Sequence, residues 1–461
     1  MATSESGAAA ALRGKRVLVV GLGRTGTSLA RYLGRRGARV RACDRRADAA
    51  LPDDLHEIEV ARGADGPELL DGVDLVVPSP GVPADAAVLR AACRRGVPVW
   101  SEIELAARDV AAPLVAITGT NGKSTTTSLV GAMLERAGRK VFTGGNLGTP
   151  LIDAAGGDHD VVVAEVSSFQ LEWVETFRPR VAALLNVTDD HLDRYRDREH
   201  YLATKARVFA RQTADDTAVL NRDDAAVAAL APALRASVRS FGNGRPAHAE
   251  RGDASLDGDD VVLHEAGAPL RFSLQRTALS GQHNRENVMA ALLVARALGA
   301  PPDALQAALD GFRGLRHRLE LVREVGGVAY VDDSKGTNVG ALLKSLEGYR
   351  DGSVVLIAGG LDKGGDYRIA RELLARKLRH LVLYGKARGF LAESWRGVAE
   401  TTVRERFAEA VTAAIVAARP GDVVLLSPAC ASMDQFESYA ARGDAFAAIV
   451  EAIPDDAVAR C

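Results

Sequence analysis

The stretch Gly119-Thr120-Asn121-Gly122-Lys123-Ser124-Thr125 follows the apolar run Leu114–Thr118 and opens a helical pattern extending to about Ala137. A strand that ends in a glycine loop and turns straight into a helix is the ordinary cradle for a nucleotide's phosphates. Backbone N–H groups curl around the oxygens, a lysine meets the terminal phosphates and a hydroxyl serves magnesium. Gly122, Lys123 and Ser124 or Thr125 supply these parts. The loop departs from G-x-x-x-x-G-K-[ST], because the position five before Gly122 is Ile117 rather than glycine. The unit implies a parallel α/β sheet and a bound nucleoside triphosphate.

Working outward, the pattern of strand, turn and helix recurs in three blocks. The expected fold is α/β with three domains. Residues 1–111 form a Rossmann-like N-terminal domain, 112–312 a central P-loop ATPase-type parallel sheet, and 313–461 a C-terminal Rossmann-like α/β domain. First-block strands are expected at 15–21, 39–44, 74–78 and 97–100, with a helix from Ser28 to Arg36. The second block offers strands at 114–118, 140–143, 160–166, 181–187 and 217–220, then a hairpin-bearing excursion at 246–274 and a helix from near Asn284. The third offers strands at 328–331, 354–358, 381–384 and 423–426.

Composition narrows the classes of function. The chain has 461 residues, of which 47% are apolar and 26% charged, the balance of an ordinary globular protein. A net charge of −2 carries no footprint for nucleic acid or an anionic membrane. Cys43, Cys93, Cys430 and Cys461 show no C-x-x-C spacing, so neither a zinc knuckle nor a redox pair is indicated. Met1 to Arg13 lacks the apolar core of a signal peptide, and no stretch is long and apolar enough for a membrane helix. A cytoplasmic protein is expected.

Gly21-Leu22-Gly23-Arg24-Thr25-Gly26 is a complete G-x-G-x-x-G between a strand and a helix, and Asp44 closes the next strand. This is the dinucleotide fingerprint in its expected context. Alone it allows a nicotinamide cofactor, another pyrophosphate ligand, or a tight turn with no ligand. Farther on, Glu165 ends an apolar strand and His191 stands among Asp189, Asp190 and Asp193. A carboxylate ending an apolar strand is costly unless paired or bound to metal, so Glu165 is a candidate magnesium ligand, while His191 beside three acids suits a metal or a proton relay. Lys205 lies on an amphipathic pattern and reads as a solvated lysine, whereas Asn284 reads as a helix cap. Lys363, on a glycine-rich strand end, and Ser432, at an expected helix start, suit an amino acid with two carboxylates.

The string Thr118-Gly119-Thr120-Asn121-Gly122-Lys123-Ser124-Thr125 resembles the loop of the Mur ligases and the related folylpolyglutamate synthetases, and the likeness extends over nearly the whole chain. Its later motifs are similar to those of the members that add D-glutamate. The resemblance implies an ATP-dependent acid–amino-acid ligase acting through an acyl phosphate. The substrates would be UDP-N-acetylmuramoyl-L-alanine and D-glutamate, handled by a monomer. It implies two magnesium ions on Ser124 or Thr125, Glu165, His191 and a carbamylated Lys205. ATP would meet the 119–125 loop, Asn284, Asn287, Arg318 and Asp333. The uridine-linked substrate would meet Gly23, Arg24, Thr25, Asp44, Arg45, Asn146, Ser167 and His191. D-Glutamate would meet Thr337, Lys363, Ser432 and Tyr439, with Lys123, His191, Lys205 and Lys335 in catalytic roles. Rival readings are a sibling ligase adding another amino acid, a nicotinamide-dependent oxidoreductase, and a nucleotide switch that joins nothing.

Overall fold

A computed structural model describes residues 12–188, 194–244, 252–265, 267–279, 281–362 and 366–454. The chain divides into two compact units, Met1–Phe312 and Arg313–Cys461. Among the described residues no helix is long and apolar enough to cross a membrane.

The first unit holds two sheets. β1 (Arg16–Val20), β2 (Arg39–Asp44), β3 (Glu59–Arg62) and β4 (Leu75–Pro78) form a parallel sheet in the order β3-β2-β1-β4. The chain adds β2 and β3 on one side of β1, then crosses to place β4 on the other. The carboxyl ends of β1 and β4 therefore face a switch point, where ligands of open α/β sheets gather. The strand expected at 97–100 is only a single bridge between Val76 and Val99. Pro98 interrupts this run and cannot donate to a ladder.

The second sheet comprises β5 (Leu114–Thr118), β6 (Val141–Gly145), β7 (Val161–Glu165), β8 (Val181–Leu184), β9 (Thr217–Asn221), β10 (Ser237–Gly242), β11 (Asp253–Asp257), β12 (Asp260–His264) and β13 (Leu270–Ser273). Its order is β13-β12-β11-β10-β9-β8-β5-β7-β6. β5 is buried along its length and lies between β7 and β8, so its carboxyl end is again a switch point. The antiparallel β11–β12–β13 edge is the excursion expected from the short alternating runs. Helix Gln282–Ala297 begins two residues earlier than expected, with Gly281 as its cap, so Asn284 lies inside the first turn.

Two buried glutamates of helix Glu102–Ala107 join the sheets of this unit. Glu104 accepts from three consecutive amides, Glu175 (2.9 Å), Thr176 (3.0 Å) and Phe177 (2.9 Å), and from Arg108. Burial works against its ionisation, but these hydrogen bonds and Arg108 outweigh it and hold the carboxyl below its usual range. Glu102 accepts from Ile152 N (2.6 Å) and Gln170 Nε2 (3.5 Å), and no cation is among these hydrogen-bond donors. Its burial wins, pushing the carboxyl up to about 7.

The second unit has one sheet of six strands, in the order β14-β15-β19-β16-β17-β18. These are β14 (Glu320–Val325), β15 (Val328–Asp332), β16 (Val354–Gly359), β17 (Leu378–Tyr384), β18 (Glu400–Val403) and β19 (Val423–Ala429). β14 and β15 form an antiparallel hairpin about Gly326 and Gly327, both at positive φ, and the other pairs are parallel. β15, β19 and β16 are neighbours, which gathers three loops at their carboxyl ends.

Glu102 gives a stability test. Because its native pKa is raised from 4.5 to about 7, the folded state holds the proton more tightly than the unfolded chain. Stability therefore falls as pH rises across that window, by on the order of 3 kcal/mol. Glu102→Gln should remove this component. Urea unfolding of both proteins at about pH 5 and about pH 8 should show a smaller loss in the variant. Equal losses would place the titration elsewhere.

Candidate functional site

Gly21 leaves β1 at φ +90°, and a Cβ on Gly26 would stand 1.8 Å from the Gly21 carbonyl oxygen. Only glycine permits that close helix–strand approach. Ser79, the first residue beyond β4, donates from Oγ to Gly21 O (2.9 Å). Ser79 was missed in the sequence, because its nearness to the loop follows from the crossover to β4 and not from spacing. Asp44 Oδ2 accepts from Leu22 N (2.8 Å) and its Oδ1 from Arg46 N (2.9 Å). The Arg46 guanidinium, with those amides, holds the Asp44 carboxyl down at about 2. Asp44 thus braces the loop from below. Gly23 and Arg24 are exposed and Thr25 half-buried on the rim, while Arg45 pairs with Asp65. Arg24 reaches the second sheet's Gly148 O (3.0 Å).

The phosphate loop leaves β5. Gly122 caps helix Lys123–Arg136 in a left-handed conformation, φ +84°, and a Cβ there would lie 2.1 Å from Asn287 Oδ1. Asn287 is buried beneath the loop, accepting from Thr126 Oγ1 (3.4 Å) and donating to Asn284 Oδ1 (3.2 Å). The structure thus brings Asn284 and Asn287 to the loop. Asn186, beyond β8, embraces Asn121 from the other side. It accepts from Asn121 N (2.8 Å) and donates to Asn121 O (3.1 Å). Asn186 was the second residue missed; its signal was an asparagine at a strand end beside β5.

Two lysines converge on Gly119. Lys123 Nζ donates to the carbonyls of Gly119 (3.0 Å) and Thr120 (2.9 Å), and Lys205 Nζ donates to the same Gly119 oxygen (2.9 Å). Lys205 was expected to be solvated, but helix Arg198–Ala206 turns it inward and leaves it 1% exposed. The Gly119 carbonyl and the face of Tyr201, 4.4 Å away, replace its hydration. Ser124 and Thr125 are buried at the helix start.

Glu165 ends β7 and is 2% exposed. Its Oε1 accepts from Asn146 Nδ2 (2.6 Å), while Oε2 is buried with no hydrogen-bond partner. A buried carboxylate oxygen left without a donor fits a cation ligand. Ser167 is employed as the cap of helix Ser168–Leu171 in a capping box with Gln170. His191 lies outside the described residues, as does Lys363.

In the second unit, the loop after β15 carries Asp333, Lys335 and Thr337, that after β19 carries Ser432, Arg318 precedes β14 and Tyr439 opens the last helix. Asp333 faces inward, accepting from Ser345 Oγ (2.6 Å) and Ser427 Oγ (2.8 Å), and burial pushes its carboxyl up to about 6. Lys335 donates its backbone N–H to His317 O (3.0 Å) and sets Nζ 5.9 Å from the Tyr439 ring centre. Thr337 is half-buried two residues on, and Arg318 is exposed. Ser432 is buried, but the expected helix start there is displaced: the helix begins at Tyr439 with Ser438 as cap. Arg442, 0% exposed, donates to Ser334 Oγ, Ser334 O, Tyr384 Oη and Cys430 O. It thereby ties the loops after β15 and β19 to that helix.

Three family models match the chain. A MurD-like N-terminal domain of Mur ligases covers residues 15–101, the Mur ligase middle domain 117–295, and the Mur ligase glutamate ligase domain 317–430. Among similar curated proteins, the UDP-N-acetylmuramoylalanine--D-glutamate ligase of Anaeromyxobacter dehalogenans is 49% identical, covering 95% of this chain and 98% of its own. The protein of that name from Syntrophotalea carbinolica is 46% identical over the same shares. Among solved structures, the MurF ligase of Thermotoga maritima in complex with ADP is similar in fold. Its TM-score is 0.56 at 19% identity, covering 96% of each chain. The UDP-N-acetylmuramate-alanine ligase of the same organism gives 0.56 at 18%, covering 95% of this chain and 99% of that one.

The contact between Gly122 and Asn287 can be tested by a double-mutant cycle. Gly122→Ala should destabilise the first unit by about 3 kcal/mol, combining left-handed strain with the clash on Asn287 Oδ1. Adding Asn287→Ala should recover the clash and leave the strain, giving a coupling of about 1 kcal/mol or more in thermal denaturation. Strict additivity would mean that the two residues do not touch.

Proposed function

The chain belongs to the Mur ligase family, and we propose that it joins D-glutamate to UDP-N-acetylmuramoyl-L-alanine, consuming ATP and releasing ADP and phosphate. The reaction would serve peptidoglycan precursor synthesis in the cytoplasm. The observation that carries this reading is the convergence of Lys123 and Lys205 on the Gly119 carbonyl of the loop after β5, beside a strand that ends in Glu165 with an unpartnered carboxylate oxygen. Relatives of ligase name along nearly the whole chain support it. They also weigh against the oxidoreductase reading of the Gly21–Gly26 loop, since a phosphate loop opens the next sheet where a hydride-transfer site would be needed.

In the proposed mechanism the uridine diphosphate end lies on the Gly21–Gly26 loop and the turn at Ser79, near Thr25, Asp44 and Arg45. The muramoyl chain runs toward Asn146 and Ser167. ATP lies on Gly119–Thr125 with Asn284 and Asn287 beneath, and the likeness to Mur ligases assigns Arg318 and Asp333 to ATP as well. Ser124, Thr125, Glu165, His191 and a carbamylated Lys205 would hold two magnesium ions, which supply charge neutralisation on the phosphates and substrate carboxylate. Lys123 leaves the Gly119 and Thr120 carbonyls for the terminal phosphates. The substrate carboxylate takes the γ-phosphoryl group, giving an acyl phosphate and ADP. The amine of D-glutamate, oriented by Thr337, Lys335, Lys363, Ser432 and Tyr439, attacks the acyl carbon. Phosphate departs and the amine loses a proton. Positioning and fixed charge supply most of the rate.

Purified protein should release phosphate from ATP only when UDP-N-acetylmuramoyl-L-alanine and D-glutamate are both present. Release with diaminopimelate or L-lysine in place of D-glutamate would move the assignment to a sibling ligase. Lys123→Ala should lower turnover by on the order of 10²–10³. Near-normal ligation by that variant would sink the phosphate-cradle role.

A further inference from the structure

Arg194 has no part in the mechanism above, yet its guanidinium makes three hydrogen bonds. Nε donates to Glu172 Oε1 (2.8 Å), Nη2 to Glu172 Oε2 (2.6 Å), and Nη2 also to Val82 O (3.1 Å). Its plane lies over the Phe169 ring, 4.1 Å from Cζ to the centroid. Tyr195 Oη donates to Glu172 Oε1 (2.8 Å), completing the carboxylate's shell. Both charged side chains are largely buried, at 15% and 12% exposure. Arg194, Ser79, Val82, Phe169, Gln170 and Trp173 line one small cavity.

These bonds join two sheets. Val82 belongs to the turn that leaves β4, where Val82 N donates to Ser79 O (3.0 Å) and Ser79 Oγ holds the Gly21 loop. Glu172 is the C-cap of helix Ser168–Leu171, whose N-cap Ser167 stands two residues beyond Glu165. One planar fork therefore ties the turn beside the first loop to the segment that follows the Glu165 carboxylate. Lysine could not reproduce this, because a single ammonium cannot bind a carboxylate side-on, reach a carbonyl and stack on a ring together.

We infer that Arg194 is a positioning residue that sets the span between the diphosphate end and the carboxyl end of the uridine-linked substrate. The inference rests on the proposed substrate. It makes Arg194 a determinant of which substrate length fits: a ligand touching only the first loop is indifferent to it, and one reaching both ends is not.

The experiment compares wild type with Arg194→Lys and Arg194→Met in steady-state ligation and in equilibrium binding. KM for UDP-N-acetylmuramoyl-L-alanine should rise ~10-fold or more while KM for ATP stays within about twofold, from the loss of charge-assisted hydrogen bonds. UDP, which reaches only the first loop, should bind both variants as it binds wild type. Because Arg194→Met leaves Glu172 buried beside no cation, Arg194→Met/Glu172→Gln is the companion variant. It should regain thermal stability and keep the same contrast between UDP and the full substrate. An unchanged KM for the full substrate would overturn the inference, as would equal weakening of UDP and full substrate, which marks a general loosening of the turn. Failure of the wild type to release phosphate with the uridine-linked substrate would instead overturn the proposed function.

Discussion

The carbonyl oxygen of Gly119 accepts from two ammonium groups, and much of the first unit is arranged so that it can. β5 delivers Gly119 to the middle of the nine-stranded sheet, and Asn186 and Asn287 grip the loop from opposite sides. Lys123 comes from the helix that follows, and Lys205 from a helix 86 positions along the chain. Two ammonium groups thus meet one neutral acceptor beside a helix N-terminus, a place that favours a bound anion. Carbamylation of Lys205, as proposed, would turn one of those cations into an anion beside the other and add an oxygen donor to the site.

The second unit solves a different problem with a buried guanidinium. Arg442 sits among neutral acceptors, the carbonyls of Ser334 and Cys430 and the hydroxyls of Ser334 and Tyr384. A buried charge is tolerated when its donors are taken up. Here they are taken by the loop after β15, the loop after β19 and the last residue of β17. Asp333, one residue before Ser334, is a buried acid whose desolvation outweighs the hydrogen bonds from two serine hydroxyls, which favour its charged form, and pushes its carboxyl up to about 6.

Local pattern revealed what depends on neighbours in the chain. The two glycine loops, the strands feeding them and the helices leaving them could be read because turn, strand and helix signals are adjacent in sequence. Contacts made by crossover could not. Ser79 and Asn186 matter because β4 lies beside β1 and β8 beside β5, and neither pairing is encoded by spacing. Lys205 read as solvated because amphipathic periodicity says which face a residue is on, not whether a distant carbonyl awaits it. β3, β14 and β18 escaped notice because edge strands carry charges and small polar residues instead of an apolar run, and interior β10 escaped because Ser237, Arg239 and Ser240 break its apolar pattern. Val97–Trp100 misled for the opposite reason, being apolar but interrupted by proline.

The Glu104 collar has a consequence for the order in which the protein is made. Its carboxylate is satisfied by amides at 175–177, and Glu102 waits on the amide of Ile152. When the first sheet leaves the ribosome, neither set of donors has been synthesised. Helix Glu102–Ala107 then emerges with two hydrated acids on the face it must later bury, and the seam between the sheets cannot close. The two acids can therefore find their amides only once the chain through Phe177 has been made, which ties completion of the first sheet's packing to the synthesis of the second.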